Sequence, residues 1–194
     1  MGILWLIRRR ITLILKVEKE KNQLLNNWYE QENRVLTALQ YPSPMIKSAQ
    51  GITGLTGVGK SYLASALGYQ ACIMGYKVRY YNMSKLFSTL KMSKADNSYL
   101  KEINRIEKQD VLILDDFGLH PIDPATQMAL LEIIEDRHGK SSTIIASQVP
   151  VNKWNELLGE QTIADAILDR IIHTSNRIEL QGELMRKKQA KNNL

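Results

Sequence analysis

The chain has 194 residues, of which 44% are hydrophobic and 24% charged, and this ordinary balance argues against wholesale disorder, collagen-like repeats or a membrane bundle. Its single cysteine, Cys72, excludes an internal disulfide and a cysteine-rich zinc scaffold, and its three histidines are too scattered to suggest a histidine metal site. The net charge of +6 hints at a polyanionic partner, and most of the excess lies in residues 1–50, with eight basic and four acidic side chains. A second basic cluster, at residues 186–191, closes the chain.

The first seventeen residues contain two short apolar runs, Ile3–Ile7 and Ile11–Leu15, which three arginines separate. Neither run approaches the roughly 20 apolar residues that a membrane span needs. The charge also lies in the wrong place for a secretory signal peptide. We therefore expect a cytoplasmic protein with an exposed leader and no membrane partner, with a short amphipathic segment at a membrane surface as the alternative.

A glycine-rich stretch at Gly54–Ser61 matches the complete phosphate-loop pattern G-x-x-x-x-G-K-[ST]. Gly57 and Gly59 permit backbone conformations in which successive N–H groups point inward at phosphate oxygens. Lys60 can reach the β- and γ-phosphates of a nucleotide, and Ser61 can offer its hydroxyl to Mg²⁺. The predicted nucleotide contacts are Gly54, Thr56, Gly57, Val58, Gly59, Lys60, Ser61 and Tyr62.

Helices and a strand are predicted after this loop. A small-residue helix at Tyr62–Cys72 would direct its N-terminal dipole toward the phosphates and end near Gly75. The pattern then predicts a strand at Lys77–Tyr81 and helices at Ser84–Lys91 and Tyr99–Lys108.

An apolar run at Val111–Leu114 ends in two acids, which is typical of a buried parallel strand whose carboxyl end meets a ligand. We expect Asp115 to hold Mg²⁺ through its water shell, because Mg²⁺ gives up water reluctantly. Asp116 is the candidate to orient or deprotonate an attacking water. With the phosphate loop, this strand predicts a site for a nucleotide and Mg²⁺.

One further helix and one further strand complete the predicted core. Asp123 and Pro124 have the cap-then-proline order that opens a helix, which is predicted to run to Gly139. Ser142–Ala146 is predicted to be another buried strand. Strands that alternate with helices predict an α/β fold in which helices sandwich a parallel sheet.

Several of these segments resemble the IstB-like ATP-binding proteins, which are AAA+ ATPases that assist insertion-sequence transposases and are relatives of the DnaC-type helicase loaders. The resemblance covers roughly residues 51–188, and its most specific part is Asp165–Met185. It implies a P-loop NTPase of AAA+ type, with the ATPase core and its basic tail at residues 46–194. The resemblance rests on Gly54–Ala64, Leu114–Leu119, Leu131–Arg137, Ser147–Pro150, Ala164–Arg170 and Arg177–Glu183.

The resemblance also implies catalytic roles for residues besides Asp116. Ser147, with Gln148 as the neighbour to consider, ends a strand where the family keeps a polar residue that senses the γ-phosphate; a strand-end cap is the alternative. Arg170 falls where such ATPases keep an arginine that reaches into a neighbouring subunit's site. The alternative is that Arg170 only pairs with Asp165 or Asp169 on its own helix.

For DNA, the resemblance points to the helices before the acidic strand, whose basic side chains would make sequence-independent phosphate contacts. Acidic residues in the same segment leave a solvated helix face as an equal alternative. The basic residues concerned are Lys85, Lys91, Lys94, Lys101 and Arg105.

The chain departs from the family pattern near its beginning. Family members carry a helical amino-terminal domain, whereas we expect only a short, truncated or degenerate helical leader at residues 1–45. The segment that must form the strand before the loop, Ile46–Thr53, contains Lys47, Ser48 and Gln50, and unpaired polar groups are costly inside a parallel sheet. An internal deletion or frameshift upstream of about residue 51 would account for both features, and it predicts marginal stability without nucleotide.

The motifs therefore predict a Mg²⁺-dependent ATPase, and the resemblance implies that it forms homo-oligomers on DNA and assists the transposase of its own element. The predicted cofactors are ATP and Mg²⁺, and the shortened amino-terminal region could impair turnover. Two alternatives remain: a DnaC-like loader of a replicative helicase, and a non-catalytic remnant that binds nucleotide or DNA.

Overall fold

A five-stranded parallel sheet forms the centre of the part of the chain that the structure describes. The computed structural model describes residues 49–120, 122–172 and 175–181. The predicted leader at residues 1–45 and the basic cluster at residues 186–191 lie outside the described residues, as do Lys47 and Ser48.

The described elements alternate between strands and helices along the chain. None of the helices in these ranges combines the length and the hydrophobicity that a membrane crossing requires. The elements are β1 (Ala49–Gly54), α1 (Lys60–Ile73), β2 (Val78–Asn82), α2 (Met83–Ala95), α3 (Tyr99–Glu107), β3 (Val111–Phe117), α4 (Pro124–Arg137), β4 (Ser142–Ser147), a 3₁₀ turn (Val151–Lys153), α5 (Trp154–Leu157), α6 (Gln161–Ile172) and β5 (Asn176–Leu180).

The strands lie in the order β2-β3-β4-β1-β5, and each neighbouring pair is parallel. The predicted parallel α/β sheet is therefore confirmed. Because the carboxyl ends of parallel strands share one edge, the phosphate loop after β1 and the two acids at the end of β3 lie at the same edge. Only β4 separates these two strands.

Strand β1 forms inside the sheet despite its polar sequence. It pairs with β4 on one side and with β5 on the other, so its backbone groups are bonded in both directions. Gln50 and Thr53 are only 3% and 8% exposed. Of the polar residues that made this strand doubtful, Gln50 thus does not prevent it from forming, and the low stability expected without nucleotide stays a prediction.

Helices cover both faces of the sheet. On one face, α1 lies so close to β3 that a Cβ added to Gly68 would come within 2.6 Å of the Ile113 side chain. On the other face, α2, α3, α4 and α6 enclose the main apolar core together with Leu112 and Leu114. Because side chains alternate along a strand, Ile113 and Asp115 belong to the α1 face.

Two helix ends agree with the sequence prediction. Helix α1 is followed by Gly75 in the left-handed conformation (φ 89°), and Tyr76 N donates to Ala71 O at 3.0 Å, which closes a Schellman turn. Helix α4 begins at Pro124, and the Asp123 carboxylate accepts from Thr126 N at 2.9 Å.

A buried arginine joins three elements on the core side. The Arg137 side chain is 2% exposed and donates to the carbonyl oxygens of Ile106, Gln109 and Ser142 and to Thr143 Oγ1. Burial lowers the pKa of its guanidinium to about 10, so the group is still charged at neutral pH. Arg137 therefore holds the end of α3 and the start of β4 against the last turn of α4.

Candidate nucleotide-binding site

The phosphate loop joins the end of β1 to the start of α1. Gly57 and Gly59 adopt left-handed conformations, with φ of 82° and 102°. A Cβ added to Gly59 would meet no atom within 4 Å, so the backbone conformation itself, rather than crowding, calls for glycine there. Helix α1 starts directly at Lys60, and its free N–H groups and positive dipole end face the loop.

Lys60 connects the loop to the acidic strand. Its side chain is largely buried, and Nζ donates to Leu55 O at 2.9 Å. Burial lowers the pKa of Lys60, while the charges of Asp115 and Asp116 act in the opposite direction. The ammonium group therefore lies in the field of both acids, which brings together the two motifs that the sequence places 55 positions apart.

The two acids sit on an irregularity of β3. Leu114 pairs with Ile145 and Phe117 with Ser147, so two residues of β3 stand opposite a single residue of β4. Asp116 has φ of 59°, a left-handed conformation that aspartate tolerates better than most residues. In a regular strand consecutive side chains point to opposite faces of the sheet, and this bulge brings Asp116 to the same face as Asp115, where Tyr80 and Asn82 meet them.

Strand β2 supplies a hydrogen-bond donor to each acid. Tyr80 Oη donates to Asp115 Oδ2, and Asn82 Nδ2 donates to Asp116 Oδ2 at 2.6 Å. Burial and the hydrogen bond to Asp115 raise the pKa of Tyr80, so its hydroxyl keeps the proton that it donates. Asn82 also caps α2, because its Oδ1 accepts from Lys85 N at 3.4 Å.

The end of β4 approaches the loop through Gln148. Its Oε1 accepts from Thr56 Oγ1 at 2.7 Å, which places an amide side chain beside the phosphate loop. Ser147 is 0% exposed, and its hydroxyl donates to Phe117 O at 2.7 Å and accepts from Val149 N at 3.0 Å. Ser147 thus ties two strand ends together, and of the two residues Gln148 is the one in contact with the loop.

Arg170 lies far from the phosphate loop of its own chain. Its guanidinium donates to Glu135 Oε1 of α4 at 2.7 Å and to Ala166 O at 2.8 Å. It lines a small surface cavity with Ala49, the first residue of β1, whereas the loop follows the last residue of that strand. A strand of this length spans about 16 Å.

The basic residues predicted to contact DNA are exposed along α2 and α3. Two of them already have partners, since Lys94 Nζ lies 4.7 Å from the Tyr99 ring centroid and Arg105 pairs with Glu102 at 3.5 Å. Exposure of this kind suits both phosphate contacts and a solvated face. The five residues are Lys85, Lys91, Lys94, Lys101 and Arg105.

The oxygen donors at this edge suit Mg²⁺. In the part of the chain that the structure describes, no group of three or more His, Cys, Asp and Glu side chains could hold a metal without help. Mg²⁺ usually takes one or two protein oxygens and completes its shell with water and substrate phosphates. The Ser61 hydroxyl and the Asp115 carboxylate, which is 3% exposed, are oxygen ligands of this kind.

Sequence reasoning did not find Tyr80 and Asn82 as members of the site. A signal existed for Asn82, because asparagine directly before a helix is a favoured cap, and Tyr80 shares its face two positions earlier. Their contacts depend on the pairing of Asn82 with Asp115 across β2 and β3, which local sequence does not specify.

The described fold and site are those of a P-loop NTPase of the AAA+ type. They combine a loop with left-handed glycines after β1, a buried lysine, two acids at the end of β3 and the strand order β2-β3-β4-β1-β5. Solved structures agree with this fold. The DnaC helicase loader aligns with a TM-score of 0.68 at 18% identity, covering 83% of this chain and 92% of that one. DnaI aligns with a TM-score of 0.71 at 21% identity, covering 83% and 87%. DnaA bound to AMPPCP and single-stranded DNA aligns with a TM-score of 0.68 at 22% identity, covering 90% and 53%.

The chain belongs to the family of IstB-like ATP binding proteins, whose sequence profile matches residues 21–193. One relative, from Sinorhizobium fredii, is named provisionally as the insertion sequence ATP-binding protein y4pL and is 46% identical over 138 residues, which is 71% of this chain and 56% of the relative. The IS21 ATP-binding protein of Pseudomonas aeruginosa, also a provisional name, is 33% identical over 138 residues, 71% of this chain and 52% of the relative. The chain thus spans about half the length of the curated relatives that it matches.

Proposed function

We propose that this protein binds ATP with Mg²⁺ at the loop Gly54–Ser61 and hydrolyses it. The observation that supports this most directly is the position of Lys60, whose ammonium donates to a loop carbonyl and lies within the electrostatic influence of Asp115 and Asp116. A buried cation beside two acids is suited to a ligand that brings both phosphate charge and a metal ion. The family to which the chain belongs is itself described by ATP binding.

Each residue has a chemical task in this proposal. Loop N–H groups and Lys60 would hold the phosphates, and Ser61 and Asp115 would hold the metal. When bound, Mg²⁺ would neutralise charge on the β- and γ-phosphate oxygens. Asn82 fixes one oxygen of Asp116, which leaves Oδ1 to take a proton from the attacking water. Gln148 would lie beside the terminal phosphate, with Ser147 holding the strand end that carries it.

We further propose that the protein acts as a homo-oligomer in which Arg170 serves the site of a neighbouring subunit. Its distance from its own loop supports this assignment, because an arginine at the opposite end of β1 cannot stabilise phosphoryl charge in the same chain. The pairing with Glu135 would then orient the guanidinium at the surface of the free subunit.

The biological task that fits best is assistance to a transposase on DNA. The curated relatives are named as insertion sequence ATP-binding proteins, and the exposed basic residues of α2 and α3 are suited to sequence-independent phosphate contacts. A role as a helicase loader is the second candidate, because the DnaC loader matches over 92% of its own length. The non-catalytic alternative predicts nucleotide binding without turnover.

The decisive experiment measures ATP hydrolysis by the full chain with and without duplex DNA. Lys60→Ala should abolish both nucleotide binding and turnover, whereas Lys153→Ala, which removes an exposed lysine that is not part of the loop or the acidic strand, should change neither. Unchanged ATP affinity in Lys60→Ala would refute the site. Size-exclusion chromatography with the transposase of the same element, and separately with the replicative helicase of the same host, then decides between the two tasks.

A further inference from the structure

Asp115 is held by a hydrogen bond at each carboxylate oxygen. Asp116 N donates to Oδ1 at 2.9 Å, and the Tyr80 hydroxyl donates to Oδ2. Asp115 is 3% exposed, so the rotation of its carboxylate is set by these donors and the surrounding protein. Of the two donors, the Tyr80 hydroxyl is the one that a substitution can remove.

Tyr80 contributes more to this contact than to the core. It lies on β2, an edge strand of the sheet, and its side chain is 44% exposed. A half-exposed tyrosine could bond water freely, yet this one directs its hydroxyl at a buried acid on the neighbouring strand. Hydrogen bonds from such surrounding groups to a metal ligand typically fix its orientation, and their loss weakens metal binding about 10- to 100-fold.

We propose that Tyr80 is a positioning residue for magnesium, whose hydroxyl holds the Asp115 carboxylate in the orientation that meets the ion. The inference rests on the proposed function of the site, in which Asp115 is a metal ligand. Tyr80 itself contacts neither the ion nor the nucleotide in this arrangement. The hydroxyl of Tyr80, and not its ring, makes the hydrogen bond that positions Asp115.

The test is Tyr80→Phe, which removes one oxygen atom and keeps the ring. Mn²⁺ serves as the probe, and its binding to the full chain with the nucleotide analogue AMPPCP is followed by electron paramagnetic resonance. We expect Mn²⁺ affinity to fall about 10-fold. The affinity for AMPPCP without metal, measured in EDTA, should stay within about twofold of the wild-type value, because the phosphate loop and Lys60 are unchanged.

Tyr81→Phe is the matched control. Tyr81 is the next residue on the same strand and faces the other side of the sheet, where its hydroxyl accepts from Arg79 Nε at 3.3 Å. Its substitution should leave Mn²⁺ affinity unchanged. A second comparison uses Asp115→Asn, since Tyr80→Phe should add little to the loss of metal binding once the carboxylate itself is gone.

Each other result overturns the inference. Equal Mn²⁺ affinity in wild type and Tyr80→Phe would show that the hydroxyl does not position the ligand, while the proposed site itself would stand. Three results would show that Tyr80 has only a general structural role. The first is an equal loss of AMPPCP affinity with and without metal, and the second is failure of Tyr80→Phe to fold. The third is a full additional loss of Mn²⁺ affinity when Tyr80→Phe is combined with Asp115→Asn. If the wild type takes up no Mn²⁺ with AMPPCP, the proposed function and this inference are both overturned.

Discussion

Replacing Arg170 with alanine should abolish ATP turnover in the assembled protein while leaving each subunit folded and able to bind nucleotide. The guanidinium lies at the opposite end of β1 from its own phosphate loop, so in the proposed homo-oligomer its effect on turnover would be exerted on another subunit. Arginines that neutralise charge on a transferring phosphoryl group are worth about 10³- to 10⁵-fold in kcat. A loss of that size is expected for Arg170→Ala.

The stability of the subunit should change little by comparison. The Arg170–Glu135 ion pair is exposed, with side chains 29% and 47% accessible, and exposed pairs contribute about 1 kcal/mol or less. Glu135→Gln is the matched control because it breaks the same ion pair and keeps the arginine. It should retain most of the turnover, because a glutamine oxygen can still accept from Arg170 and orient it, whereas a purely structural role would make both variants behave alike.

The assay mixes Arg170→Ala subunits with Lys60→Ala subunits, each inactive alone. Lys60→Ala keeps Arg170, and Arg170→Ala keeps a working loop, so mixed assemblies contain some complete sites. With equal amounts and random order, about a quarter of the sites combine a working loop with a neighbour's arginine. Hydrolysis in the mixture should therefore recover to about that fraction of the wild-type rate per subunit.

No recovery in assemblies shown by light scattering to contain both variants would refute the action of Arg170 on a neighbouring subunit. Full turnover of Arg170→Ala alone would refute any catalytic role. A fall in the urea midpoint that leaves most Arg170→Ala subunits unfolded under the assay conditions would explain the loss of activity by stability instead.

Two further substitutions test the site and the core. Asp116→Asn keeps an oxygen that can accept from Asn82 but cannot take a proton, so ATP affinity by fluorescence titration should persist while kcat falls about 10²- to 10⁴-fold, and full activity would move the base elsewhere. Arg137→Ala removes a donor from three backbone carbonyls, of which Ile106 O keeps Gln109 N, and should lower the free energy of unfolding by about 3 kcal/mol. Urea unfolding measures this loss, with Arg137→Lys as the charge-preserving control, and an unchanged midpoint would contradict it.

Much of the fold follows from local sequence. The loop motif, the alternation of strands with helices, the Asp123–Pro124 helix start and the glycine stop of α1 are short-range signals, and the structure confirms them. The doubtful segment was β1, whose Gln50 is too polar for a typical central strand. Its place between β4 and β5 comes from backbone pairing along both sides, which side-chain composition cannot reveal.

The details of the site were predicted less completely from the sequence than the fold was. Sequence reasoning placed Asp115 and Asp116 together at a strand end, but it could not predict the bulge that brings both to one face of the sheet. It named Ser147 with Gln148 beside it, and the structure gives the loop contact to Gln148. It offered Asp165 or Asp169 on the same helix as partners of Arg170, and the structure shows an ion pair with Glu135 of another helix, which local sequence could not reveal.

The sequence by itself determined the chemistry of the loop and the kind of core that carries it, because glycine conformations, helix caps and strand periodicity are properties of a few neighbouring residues. Tertiary structure alone decided the contacts of Tyr80 and Asn82 with the two acids, the burial of Arg137 and the position of Arg170 at the far end of β1. These depend on strand order and register, which bring together residues that are distant along the chain.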